Sequence, residues 1–167
     1  MLVLGLDPGT ATTGYGVVED TRGREKMIGY GTIKTAANLP MEIRLLQIYR
    51  ALNAILDEYQ PDAVAIEQLF HHTNAKTVIT VAQSRGVLLM AVAARELEFA
   101  EYTPLQVKQA VCGYGKAEKK QVQIMVQKIL KMEQIPKPDD AADALAIAIC
   151  HLHSYRLNRL NKGGVRQ

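Results

Sequence analysis

The chain has 167 residues, of which 48% are hydrophobic and 22% charged, a composition typical of a folded globular domain and not of a disordered protein. No apolar run approaches the roughly 20 residues that cross a bilayer, and no basic region with a cleavable apolar segment opens the sequence, so we expect a cytoplasmic protein. The net charge of +3 is only a weak indication of a nucleic-acid partner.

The apolar pattern predicts an α/β fold with a mixed five-stranded sheet flanked by helices. Strands are predicted at residues 2–6, 14–18, 24–35, 61–69 and 97–104. Helices are predicted at residues 40–59, 75–96, 105–113, 116–131 and 140–155. We assign residues 1–155 to one domain and expect residues 156–167 to form a basic, flexible C-terminal tail.

Acidic residues stand at three places where the apolar pattern would place them at the edge of the core. Asp7 follows the run "LVLGL", Glu67 follows "AVAI", and the cluster "DDAAD" (139–143) opens the alanine-rich last helix. Carboxylates are costly at such positions unless they are paired or bind metal. If the two strands are neighbours and the helix packs across their ends, the three groups converge.

Converging carboxylates predict a site for Mg²⁺, with Mn²⁺ as a substitute, because hard cations prefer oxygen ligands. Two such ions about 4 Å apart can hold the attacking and leaving oxygens of an in-line phosphoryl displacement. The sequence contains no Ser–His–Asp or Cys–His arrangement that would supply a covalent nucleophile.

The spacing of the last acidic cluster leaves one ambiguity. Residues three or four apart share a helix face, so Asp143 can pair with either Asp140 or Asp139. Asp139 follows Pro138, and we expect it to be the N-cap of the helix. Asp140 would then lie in the first turn and face the metal.

The short sequence "DPGT" allows a different interpretation, an ATP-binding loop like that of the actin and sugar-kinase superfamily. That superfamily binds ATP between two domains, which 167 residues do not accommodate, and no Walker A sequence is present. The kinase-like interpretation therefore ranks below the metal-dependent nuclease.

Six motifs in order, "GLDPGTATTGYGVV", "AIEQLF", "QSRGV", "QVKQAV", "AEKKQVQ" and "DDAADALAIAI", resemble the RuvC family of bacterial Holliday junction resolvases. The resemblance implies a ribonuclease H-like fold, a homodimer and Mg²⁺-dependent nicking of two symmetric strands at a four-way DNA junction. It further implies ligatable 5′-phosphate and 3′-hydroxyl ends, a thymine-containing cleavage site, and work with the branch-migration proteins RuvA and RuvB in recombination and repair.

The family's four acidic residues map onto Asp7, Glu67, Asp140 and Asp143. As a hypothesis, Asp7 bridges two ions, Glu67 and Asp143 hold one of them, and Asp140 completes the other. Two other functions remain open: a junction-binding protein without activity, which the complete acidic set disfavours, and a ribonuclease H acting on RNA–DNA hybrids, which would use similar acids.

The predicted DNA-binding residues are one aromatic side chain and five basic ones: Phe70, Arg85, Lys108, Lys116, Lys119 and Lys120. The aromatic side chain follows the second acidic strand in a polar segment, where it could stack on unpaired bases at the crossover. Lys108 and Lys119 lie within family-like motifs, which favours phosphate contact, and "GYGKAEKK" has the composition of a DNA-gripping loop. Arg85 could instead serve the dimer.

Overall fold

A computed structural model describes residues 1–68 and 75–163 of the chain, and it confirms the predicted mixed five-stranded sheet. The order across the sheet is β3-β2-β1-β4-β5. β1, β2 and β3 are antiparallel neighbours, whereas β4 and β5 run parallel to β1. The strands span Leu2–Asp7 (β1), Thr12–Thr21 (β2), Arg24–Lys34 (β3), Ala63–Glu67 (β4) and Glu98–Tyr102 (β5).

Helices cover both faces of this sheet, which is why its central strands are apolar on both sides. Their bounds are Met41–Tyr59 (α1), Ala75–Ala93 (α2), Pro104–Cys112 (α3), Lys119–Ile129 (α4) and Asp139–Gly163 (α5). In β1, Leu4 and Leu6 pack with α1 and α2, whereas Val3 packs with α3, α4 and α5. Within the described ranges, no helix combines the length and apolar character that a membrane crossing needs.

The pairing of β1 with β4 places the first two acidic residues at one edge of the sheet. Leu6 lies opposite Ile66 in the parallel register. Asp7 and Glu67 are the next residues, so they end their strands side by side. On the other side of β1, Asp7 pairs with Gly14 of β2.

Helix α5 lies unusually close to these strands because glycines face it. A Cβ atom on Gly14 would overlap the carbonyl oxygen of Asp140, and one on Gly5 would overlap that of Ala144. The alanines of α5 are buried against the same surface. Small residues on both sides therefore bring the first turns of α5 to the edge where Asp7 lies.

The observed bounds of the last helix differ from the predicted ones at both ends. α5 continues to Gly163, past the predicted end at residue 155, and the flexibility of the C-terminal tail stays a prediction. Ion pairs from Arg156 to Asp20 and Glu25, at 3.0 and 2.5 Å, tie this part of the helix to the β2–β3 hairpin. At the other end, Asp139 is the first helical residue and not the N-cap, since the amides of residues 141 and 142 donate to the carbonyl of Pro138.

Candidate metal centre and DNA-binding site

The four predicted acidic residues lie close enough together at the edge of the sheet for their charges to affect one another. Burial, followed by the charges of Glu67, Asp143 and Asp140, raises the pKa of Asp7 to about 8. A carboxyl group shifted this far is both desolvated and surrounded by like charges. The structure thus brings together side chains that are separated by up to 136 positions in the sequence.

Glu67 and Asp143, like Asp7, have raised pKa values. Burial and the charge of Asp143 raise the pKa of Glu67 to about 7, against the opposing effect of Lys108. Burial likewise raises the pKa of Asp143, although Lys119 acts in the opposite direction. Such a cluster holds protons at a pH where exposed carboxyl groups are ionised, and a divalent cation would compete with those protons for the same oxygens.

Lys119 lies directly against the acidic cluster. Its Nζ is 3.0 Å from Asp143 Oδ2 and 3.4 Å from Asp139 Oδ2. Partial burial lowers the pKa of Lys119, but its bonds to these aspartates outweigh that effect and the net shift is upward. Asp139 also accepts a hydrogen bond from Gln123 Nε2 at 2.9 Å, so its carboxylate is directed toward α4 and not into its own helix as a cap.

The donor set fits Mg²⁺ or Mn²⁺, because it consists of carboxylate oxygens whose mutual repulsion a hard cation relieves. Across residues 1–68 and 75–163, no three acidic, histidine or cysteine side chains converge on a point at metal-ligand distance. The carboxylates would therefore have to turn toward a shared cation when one binds.

A cavity of about 220 Å³ opens beside the acidic cluster. Glu67 and Asp143 contribute its acidic side chains, and Lys108 and Lys119 contribute its basic ones. A larger groove of about 720 Å³ lies between β3 and the loop after α4, but it is lined by none of the predicted site residues that the structure describes. The smaller cavity is therefore the place where predicted metal ligands and predicted phosphate contacts lie together.

The remaining DNA-binding candidates are placed differently. Lys116, before α4, and Lys120, in its first turn, are exposed. Arg85 of α2 forms an ion pair with Glu101 of β5, so its charge is already balanced within the chain. Phe70 lies outside the described residues, and its stacking role stays a prediction.

Two kinds of contact that hold the acidic residues in place were not predicted from the sequence. The alternation of glycines in "TTGYGVV" together with the alanine-rich last helix was a readable signal for close packing of α5 on β2. The ion pairs of Lys119 with Asp139 and Asp143 had no such signal, because their partners are 20 and 24 positions away.

A sequence model of the family described as crossover junction endodeoxyribonuclease RuvC matches residues 3–151. The chain is 70% identical over 158 residues to the RuvC of Syntrophomonas wolfei, covering 95% of this chain and 92% of that protein. It is 54% identical over 162 residues to the RuvC of Alkaliphilus metalliredigens, covering 97% and 99% of the two chains.

The solved structures agree with the sequence relatives. Thermus thermophilus RuvC in complex with a Holliday junction substrate superposes with a TM-score of 0.90 at 33% identity, over 95% of this chain and 96% of that one. The yeast mitochondrial resolvase Ydc2, at 14% identity and a TM-score of 0.68, shares the fold over 94% and 80% of the chains. These likenesses confirm the predicted ribonuclease H-like fold. The chain belongs to the RuvC family of crossover junction endodeoxyribonucleases.

Proposed function

We propose that this protein resolves Holliday junctions by nicking two symmetric strands, leaving 5′-phosphate and 3′-hydroxyl ends that a ligase can seal. One observation carries the proposal: Asp7, Glu67 and Asp143 form a desolvated acidic cluster, and Glu67 and Asp143 line a cavity together with Lys108 and Lys119. Thermus thermophilus RuvC, which has the same fold, was solved with a Holliday junction substrate. Neither the ATP-binding nor the hybrid-cleaving alternative has comparable support.

Asp7, Glu67, Asp140 and Asp143 would hold the cations, which we propose to be two Mg²⁺ ions with Mn²⁺ as a substitute. When bound, such ions stabilise the negative charge that develops on phosphate oxygens and favour deprotonation of a water molecule. The chain itself supplies the orientation of the carboxylates from two strands and one helix. Lys108 and Lys119 would contact the phosphate backbone, and Phe70 would stack on a base at the crossover.

The symmetry of the substrate calls for two sites, and we propose that a second copy of the chain packs against α2. An exposed stripe of small and apolar residues runs along this helix and includes Ile79, Gly86 and Met90, of which the first and last are 60% and 58% exposed. Apart from the adjacent part of α2 itself, no atom of the described residues lies within 4 Å of the Cβ position of Gly86, so a partner helix can approach closely there. A two-fold axis across α2 would give an isologous interface. RuvA and RuvB are the further partners that the family resemblance implies.

A substrate comparison tests the proposed function. Labelled four-way junction, plain duplex and RNA–DNA hybrid are incubated with the protein in Mg²⁺ and in EDTA. We expect paired, symmetric nicks in the junction that need Mg²⁺ and that DNA ligase can seal. Preferential cleavage of the hybrid would instead support the ribonuclease H alternative, and junction binding without nicks would support an inactive binding protein.

A further inference from the structure

A chain of buried hydroxyl groups connects the hairpin after Asp7 to helix α2. The hydroxyl of Thr10 donates to the carbonyl of Thr80 at 2.7 Å, and the hydroxyl of Ser84 donates to Thr10 Oγ1 at 2.8 Å. Each hydroxyl has a single proton, so this direction of donation gives every member a partner. Thr10 and Ser84 are 6% and 0% exposed, which leaves little access for water to replace a lost bond.

The same hairpin residue is held through its backbone. Thr35, the residue after β3, donates its hydroxyl to the carbonyl oxygen of Thr10 at 2.5 Å and accepts from Arg44 Nε at 2.9 Å. Thr10 is therefore held by α2 through its side chain and by the segment after β3 through its carbonyl. A loop held at two points on neighbouring elements has little freedom to move relative to them.

The contact between Thr10 and Ser84 joins two segments that follow proposed metal ligands. Thr10 lies three residues after Asp7, in the short connection between β1 and β2. α2 begins at Ala75, eight residues after Glu67, and its Ser84 side faces the hairpin. The hydroxyl chain thus joins the segment that follows one acidic residue to the helix that follows the other.

We propose that Thr10 and Ser84 are positioning residues that hold the Asp7-bearing hairpin on α2 and thereby set the affinity of the acidic cluster for a divalent cation. This inference rests on the proposed metal-dependent function. Removing a group that hydrogen-bonds a metal ligand commonly weakens metal affinity by about 10- to 100-fold. A contact that fixes the hairpin next to Asp7 would act in the same way.

The test is a titration with Mn²⁺, in which the free ion is counted by electron paramagnetic resonance. Thr10→Val keeps the shape of the side chain but removes the hydroxyl, and Ser84→Ala removes the second hydroxyl with a smaller change. We expect each to weaken Mn²⁺ binding by about 10-fold. Thr10→Ser, which keeps the hydroxyl, should bind as the wild type does. Ile55→Val, a buried change in the C-terminal half of α1, serves as the control for general loss of stability.

Wild-type affinity in Thr10→Val or in Ser84→Ala would overturn the inference. An equal loss in Thr10→Ser and Ile55→Val would also overturn it, since the effect would then be general destabilisation. If Thr10→Val does not fold, Ser84→Ala alone decides the question. If the wild type binds Mn²⁺ no more tightly than Asp7→Asn does, the proposed metal site itself is refuted. That result is distinguishable from a failure of the positioning role, in which the wild type and Asp7→Asn still differ.

Discussion

Lys119 Nζ lies 3.0 Å from Asp143 Oδ2, so the lysine that is predicted to contact a DNA phosphate also balances the charge of a proposed metal ligand. The pair connects the first turn of α4 with the second turn of α5. Its neighbour Lys120 is exposed and has no ion pair among the described contacts. The two lysines therefore form a matched pair for mutation.

We expect Lys119→Gln to slow single-turnover nicking of a four-way junction by about 100-fold, the loss typical of removing one group that stabilises developing charge. Lys120→Gln should cause a much smaller loss, because only the contacts of Lys119 reach the acidic cluster. Rates are measured at saturating enzyme and Mg²⁺. Equal losses in the two variants would mean that position 119 acts only through general attraction of DNA.

Asp139 and Asp140 are adjacent in sequence but should differ in function. Asp140 contributes to the raised pKa of Asp7, whereas the carboxylate of Asp139 is 61% exposed and contacts Gln123 and Lys119. We expect Asp140→Asn to abolish Mg²⁺-dependent nicking. Asp139→Asn should remain active, and its free energy of unfolding should change by less than about 0.5 kcal/mol, as for other exposed positions.

Nicking assays and thermal melting of both variants provide the measurement. An active Asp140→Asn beside an inactive Asp139→Asn would move the proposed ligand by one residue. The stability expectation differs from that for an N-cap, because the helix already begins at Asp139 and its carboxylate has no capping bond to lose.

Features of the site that depend on residues close together in the sequence could be predicted from the sequence alone. Asp7 and Glu67 end apolar strands, so composition and periodicity predicted an acidic site at this edge of the sheet. Helical spacing left Asp139 and Asp140 as alternative partners of Asp143, and the family resemblance selected Asp140. Contacts between distant segments had no such signal. Glu25 and Arg156 are 131 positions apart and Thr10 and Ser84 are 74 apart, and only the folded arrangement of the β2–β3 hairpin, α2 and α5 brings them together.

His153 predicts a pH-dependent contribution to stability. Its Nε2 is 3.0 Å from Glu25 Oε1 and its Nδ1 is 3.1 Å from the carbonyl of Ala110, so both nitrogens need a proton to donate. The bond to Glu25 raises the pKa of His153, although burial opposes it. A raised folded-state pKa stabilises the protein fully below the unfolded pKa, near 6.5, and that contribution is lost as the pH rises through the folded value.

We therefore expect His153→Gln to lower the free energy of unfolding by about 1 kcal/mol at pH 6 and by less at pH 9. Arg156→Gln is the control, since it removes another cation from Glu25 that does not titrate in this range. Its deficit should be nearly the same at both values. Denaturant unfolding at pH 6 and pH 9 gives the comparison, and a His153→Gln deficit that does not change with pH would contradict the imidazolium assignment.

The exposed stripe on α2 predicts how the proposed dimer can be broken. Met90→Glu places a charge where the proposed partner helix would pack, and desolvating that charge is costly. We expect the wild type to sediment as a dimer and Met90→Glu as a folded monomer. Leu157→Glu, which alters a side chain 62% exposed on α5, should remain dimeric. A monomeric wild type, or a dimeric Met90→Glu, would contradict the assignment of the interface to α2.

The most direct test of the whole account is nicking of a four-way junction by wild type and Asp7→Asn in Mg²⁺, with junction binding measured in parallel by electrophoretic mobility. Burial and the charges of the other acidic side chains raise the pKa of Asp7 to about 8, so its loss should remove cation binding and leave the fold and the DNA contacts in place. We expect paired nicks from the wild type and none from Asp7→Asn, with equal binding of the junction by both. Nicking by Asp7→Asn at the wild-type rate would contradict the assignment of Asp7 to the metal site.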